Sequence, residues 1–178
     1  IPGIAEGLGD IAIAGLTATD DRKHLVDFVT HASNPVAEVV VTGPDAPRLE
    51  SLEDLSGQRV LVRKSSSYYE SLQELNARLR SSGKGAVKIV EADENLEDED
   101  ILELVRSGAA KITVIDNYLA RFWADVMGDL AVREDLLVRE EGLQGPVVRK
   151  DSPQLVAALT AFQKTHGLGT EFGNVVTK

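Results

Sequence analysis

A chain of 178 residues with 43% hydrophobic but only 4% aromatic content is long enough for one domain or two small lobes. Its core must be built from Ala, Val, Leu and Ile, the usual filling of an α/β protein with buried strands. A net charge of -10 and the absence of cysteine argue against nucleic acid or an anionic membrane surface as principal partner and remove disulfides, thiolate zinc sites and a cysteine nucleophile.

In chain order, Gly9-Asp10-Ile11-Ala12-Ile13-Ala14 reads as a short buried strand. It leads through Gly15, Thr17 and Thr19, residues suited to a turn and a helix cap, into a helix whose first turn carries Arg22. N–H groups after Gly15 and at the helix start have no intrahelical partner, and a guanidinium beside them offers a planar fork to a carboxylate. The plain alternative for Arg22 is a surface arginine.

The β-branched run Ala37–Thr42 ends at Gly43-Pro44-Asp45-Ala46-Pro47, which breaks regular structure. Beyond a short helix at Leu52–Gly57, strands are expected at Arg59–Arg63, Val87–Val90 and Lys111–Ile115, alternating with helices at Tyr69–Ser81, Asp98–Ser107 and Asn117–Val126. This alternation predicts a mostly parallel sheet with crossover helices. The chain then returns through Gly145–Lys150 to a helix at Ser152–Thr165 with Pro153 at its first position. The expected division is a discontinuous first lobe, 1–42 and 146–178, around a second lobe, 43–145, with hinge strands near 38–44 and 142–148.

Two further places offer chemistry. At Arg63-Lys64-Ser65-Ser66-Ser67, cations and hydroxyls follow a strand end and suit a carboxylate or phosphate, the alternative being N-capping by serine. Asp116, at the end of a parallel strand, projects where open α/β sheets bind ligands, or else caps the next helix. The acidic loop Glu91–Asp100 lacks the spacing and glycine of a calcium loop, and the helix dipole accounts for its charges. No metal site or cofactor is expected. His24, His31 and His166 have no metal-ligand spacing, and no nucleophile elbow or phosphate loop occurs. Asp20 with Asp21 and Glu140 with Glu141 read as solvated charges, leaving His31 as the one candidate general acid or base.

Gly9-Asp10-Ile11, then Gly15-x-Thr17-x-Thr19-x-x-Arg22, then Val26-Asp27-Phe28 resembles the first-lobe signature of type II periplasmic solute-binding proteins of the amino-acid-binding family. The resemblance implies two α/β lobes joined by two extended strands, with ligand held by closure between them. It also implies that the family's opening strand and helix precede Ile1, so that the first lobe is incomplete. The strand Asp10–Ala14 is then expected to lack a neighbour, inviting self-association or local disorder.

By the same resemblance, Gly15, Thr17, Arg22, Arg63, Ser65, Ser66 and Ser67 bind the ligand, with Ser65 standing where the family has glycine. Arg22 and Asp116 together would read the carboxylate and ammonium of a zwitterion. Ser65–Leu72, Ala92–Asp100 and Gly169–Asn174 resemble more narrowly the binding module of membrane-bound lytic murein transglycosylase F and its relatives. The two resemblances imply a periplasmic or cell-envelope module for an amino acid or short cell-wall peptide, partnered by a membrane transporter or a fused catalytic domain. The alternatives are a regulatory module of a transglycosylase whose active site lies outside this chain, and a small dehydratase on the same fold.

Overall fold

The computed structural model describes residues 1–30 and 35–166. The chain forms two compact units, one of Ile1–Pro35 with Leu143–Lys178 and the other of Val36–Gly142. The first unit opens with α1 (Pro2–Ala5), β1 (Ile11–Ala12), α2 (Asp20–Leu25) and β2 (Val26–Phe28). The second contains β3 (Val36–Thr42), β4 (Arg59–Arg63), α3 (Ser67–Ser81), β5 (Lys88–Ala92), α4 (Asp98–Arg106), β6 (Ile112–Asp116), α5 (Asn117–Met127) and β7 (Ala131–Gly142). The chain returns to the first unit as β8 (Val147–Arg149) and α6 (Pro153–His166).

The second unit is a five-stranded sheet in the order β5-β4-β6-β3-β7. β4 runs parallel to β5 and β6, as strands joined by crossover helices must, whereas β3 is antiparallel to both β6 and β7. The sheet is therefore mixed. Four strands share a direction, and β3, which brings the chain into the unit, lies among them pointing the other way.

Helix α3 buries Leu72, Leu75 and Leu79 at helical spacing, and α4 buries Ile101, Leu102 and Val105. The four leucines join Val39, Val40, Val41, Val60, Val62, Ile112 and Val114 in one apolar cluster. Each such side chain contributes roughly 1.5–3 kcal/mol by leaving water. β7 is not anticipated from the sequence, because Arg133, Glu134, Asp135, Arg139, Glu140 and Glu141 mask its alternation, and its register against β3 shifts three times.

The first unit departs from the parallel expectation entirely. Its sheet has the order β1-β8-β2, and both ladders are antiparallel, since the return strand runs between two strands of common direction. The expected strand Asp10–Ala14 is shorter than predicted and does have a neighbour, with Ile11 opposite Val148 and Ala12 opposite Val147. That pairing comes from later in the chain, so the expectation of an unpaired strand is corrected. Ile13 nonetheless stays 73% exposed. The buried cluster here is small, made of Ile4, Val26 and Val147. Among the described residues no helix is long and apolar enough to cross a membrane.

Candidate functional site

In the first unit the turn before α2 is organised around Gly15, whose φ of 58° is the left-handed conformation glycine tolerates best. Backbone bonds from Ala18 N–H to Leu143 O (2.8 Å) and from Gly145 N–H to Leu16 O (3.2 Å) fasten this turn to the returning chain. Thr17 is buried, and its hydroxyl accepts from the Gln144 amide at 3.4 Å. Thr19 caps α2 by accepting from the Arg22 N–H at 3.3 Å. Arg22 is not the surface arginine of the plain alternative. It is 7% exposed, and its guanidinium donates to Thr17 O at 3.1 Å, which fixes the planar fork in place.

In the second unit the candidates gather at the carboxyl ends of β4 and β6. Arg63 donates to Leu96 O at 2.7 Å and pairs with Asp98 and Glu97, so its fork anchors the start of α4. Ser65 donates through its N–H (3.1 Å) and its hydroxyl (2.5 Å) to the carboxylate of Glu94. Ser66 caps α3, accepting from Tyr69 N–H at 3.3 Å while its hydroxyl donates to Arg63 O. Ser67 is buried at the first position of α3. Ser66 thus serves as the N-cap of α3. Two other acids of the loop are similarly engaged, Asp93 with Asn95 and Asp100 with the Glu97 N–H. Among the described residues no group of three His, Cys, Asp or Glu could hold a metal ion.

Asp116 stands at the N-terminus of α5, but its side chain makes no capping bond. It is 3% exposed, and its N–H donates to Tyr68 Oη at 3.3 Å. Tyr68 Oη also approaches Asp98 at 3.5 Å. Burial, helped by the nearby Asp116 and Asp98, pushes the Tyr68 phenol well above its ordinary value of 10.0, so it remains a neutral donor and acceptor. Burial also raises the Asp98 carboxyl, against the pull of Arg63. At Glu94 the Ser65 hydroxyl is the main cause that lowers the carboxyl.

Tyr68, Glu94 and Glu38 were not singled out by the sequence. Glu38 is 1% exposed, opposite Asp116 on β6 and opposite Arg139 on β7, with Arg139 Nε 3.6 Å away. An acid within Val36-Ala37-Glu38-Val39-Val40-Val41 was the available signal, since charges are almost never fully buried unless paired. His31 and the segment Gly169–Asn174 lie outside the described residues.

These features define an α/β protein of the kind that binds small solutes. The family model of bacterial extracellular solute-binding proteins, family 3, matches residues 1–167, and the chain belongs to that family. It is 32% identical over 137 residues to a membrane-bound lytic murein transglycosylase F of Alcanivorax borkumensis, covering 75% of this chain and 28% of that protein. A protein of the same name from Saccharophagus degradans is 31% identical over 110 residues, 61% of this chain and 20% of the relative. The chain thus spans between a fifth and a third of the length of these curated relatives.

Among solved structures, the substrate-binding protein of an amino acid ABC transporter superposes with a TM-score of 0.79 at 20% identity, over 98% of this chain and 72% of the other. An ancestral arginine-binding protein bound to arginine gives 0.73 at 24%, over 92% and 68%. At such identities the likeness shows the fold.

Proposed function

We propose that this chain is a solute-binding module of the cell envelope, recognising an amino acid or short cell-wall-derived peptide by its carboxylate and ammonium and closing its lobes on that ligand. The observation that carries the reading is Arg22, a buried guanidinium fixed by Thr17 O just after a glycine turn. Burial of a fork that no longer ranges through solvent is what planar, two-pronged capture of a carboxylate requires. In this reading the Ser65–Ser67 turn supplies further donors, and Asp116 faces the ammonium. The occurrence of the same fold in an arginine-binding protein and in the substrate-binding protein of an amino acid transporter supports the ligand class.

Calorimetry with amino acids and murein peptides tests the proposal. Arg22→Ala should weaken binding by roughly 30-fold to 1000-fold, the equivalent of 2–4 kcal/mol for a charge-assisted bidentate contact. Arg22→Lys should not rescue, because an ammonium has no fork. Asp116→Asn should weaken zwitterions while leaving simple carboxylates nearly untouched. An unchanged dissociation constant in Arg22→Ala would remove the assignment.

A second reading, a regulatory module fused to a lytic transglycosylase, is favoured by the 32% identity to the Alcanivorax borkumensis protein across three-quarters of this chain. In it the chain senses murein peptides and leaves cleavage to another domain. Purified chain should then release no muropeptides from peptidoglycan; release lost on mutating one carboxylate would make it an enzyme.

A further inference from the structure

We propose that a second site, at the amino-terminal ends of β4, β5 and β6, binds an amphiphilic anion: a phosphate or carboxylate head carried on an apolar chain. A cavity of 440 Å³ opens there, lined by Arg59, Lys88, Lys111, Leu61, Val90 and Ala109 among others. That volume lies within the range of small-ligand pockets. It lies at the opposite ends of the strands from Ser65 and Asp116, and the inference does not rest on the function proposed above.

The sheet register explains how the pocket is built. Arg59 pairs with Lys88 and Leu61 with Val90 across the parallel β4–β5 ladder, while Leu61 pairs with Thr113 on β6. Lys111, in the bend just before β6, lines the same cavity. Arg59 and Lys88, directly opposite on β4 and β5, form a row of cations, and Lys111 adds a third charge to the cavity lining. The next row on that face begins with Val90 and Leu61. A positive rim thus borders an apolar floor.

Like charges directly opposite on neighbouring strands destabilise a sheet. Several other cations of this unit are matched: Arg63 with Asp98, Lys64 with Glu91, Arg106 with Glu103, Arg121 with Glu134 and Arg133 with Asp135. Among the described residues, no ion pair joins Arg59, Lys88 or Lys111 to a carboxylate, in a chain with 29 acidic and 19 basic residues. Asp45 comes near the pocket wall, its Oδ2 3.4 Å from where a Cβ on Gly108 would sit, yet it pairs with none of the three. An anionic head would relieve the row's repulsion, and an apolar chain would cover Leu61 and Val90. A hydrophilic anion would use only the rim.

The test uses octyl phosphate below its micelle-forming concentration, followed by calorimetry and methyl NMR. Saturable binding is expected, with shifts confined to Leu61, Val90, Ala109 and Ala110, and with inorganic phosphate and octanol each binding more weakly. The double variant Arg59→Gln/Lys88→Gln should lose roughly tenfold in affinity. Its urea midpoint should stay the same or rise, which separates lost binding from lost folding. Phosphatidylglycerol vesicles provide the other arm: sedimentation with them, lost in the double variant, assigns a membrane headgroup as the source, whereas binding of the monomer alone assigns a free amphiphile. No saturable binding, shifts centred elsewhere, or an unchanged affinity in the double variant would overturn the proposal.

Discussion

Glu94 occupies the donors of the Ser65 turn in the way an incoming carboxylate would, accepting from both the N–H and the hydroxyl. A ligand that uses Ser65 must displace it. Glu94→Ala is therefore expected to raise affinity for amino acids several-fold, about 1 kcal/mol for one competing interaction; calorimetry showing no gain would mean that Ser65 is not a ligand donor. The contact also sets a pH dependence. Because Glu94 titrates below its ordinary 4.5 when folded, the bond persists above that value and is lost as pH falls through the lowered one. The Ser65 amide proton should shift with a midpoint below 4.5, and a midpoint at or above it would contradict the pairing. Thr19, Ser66 and Arg22 were readable from local spacing, since caps and first-turn residues are short-range matters. The engagement of Ser65 by Glu94, and of Arg63 by Asp98, joins residues about thirty positions apart, which periodicity does not report.

The elements are tied together at a few points where substitution should be costly. Asn76 on α3 clamps the approach to β5, its amide donating to Val87 O at 3.1 Å and accepting from Val87 N–H at 2.6 Å. Asn76→Ala leaves two buried backbone groups without these partners and should cost roughly 2–4 kcal/mol, measured by urea unfolding. Gly145 is a different constraint: a Cβ there would lie 2.3 Å from Val29 O, so backbone must move. Gly145→Ala should destabilise the first unit by about 1–3 kcal/mol, seen as faster amide exchange at Val26 and Val147 with little change at Val40 or Val114. Strands and helices of strong period were readable in advance, such as Arg59–Arg63 and the helix expected at Tyr69–Ser81, which begins two residues earlier at Ser67. The direction of β3 and the existence of β7 were not, because they depend on which strands become neighbours and on charged residues accommodated beside β3.

The two units are unequally supported. Among the described residues, nineteen buried side chains from Val39 to Val138 make up the cluster of the second, against Ile4, Val26 and Val147 in the first. Hydrophobic burial is the dominant favourable term in folding, so the first unit should yield at lower denaturant. Trp123, the single tryptophan, packs against the larger cluster and reports on the second unit alone. Its fluorescence midpoint in urea is expected above the midpoint for exchange at Val26 and Val147. Coincident midpoints would show one cooperative structure instead.

β1 and β2 never pair with each other; both depend on β8, and the whole of Val36–Gly142 is made between them and it. On a ribosome, which adds residues from the N-terminus onward, β1 and β2 must wait for the other unit to emerge before β8 can pair with them. Until then Leu8, Ile11 and Ile13, exposed even in the folded chain, are carried on an unassembled segment. Transiently bare apolar residues and strand edges invite aggregation. The segment carrying β1 and β2 therefore needs shielding during synthesis, while Val36–Gly142 can already be folded.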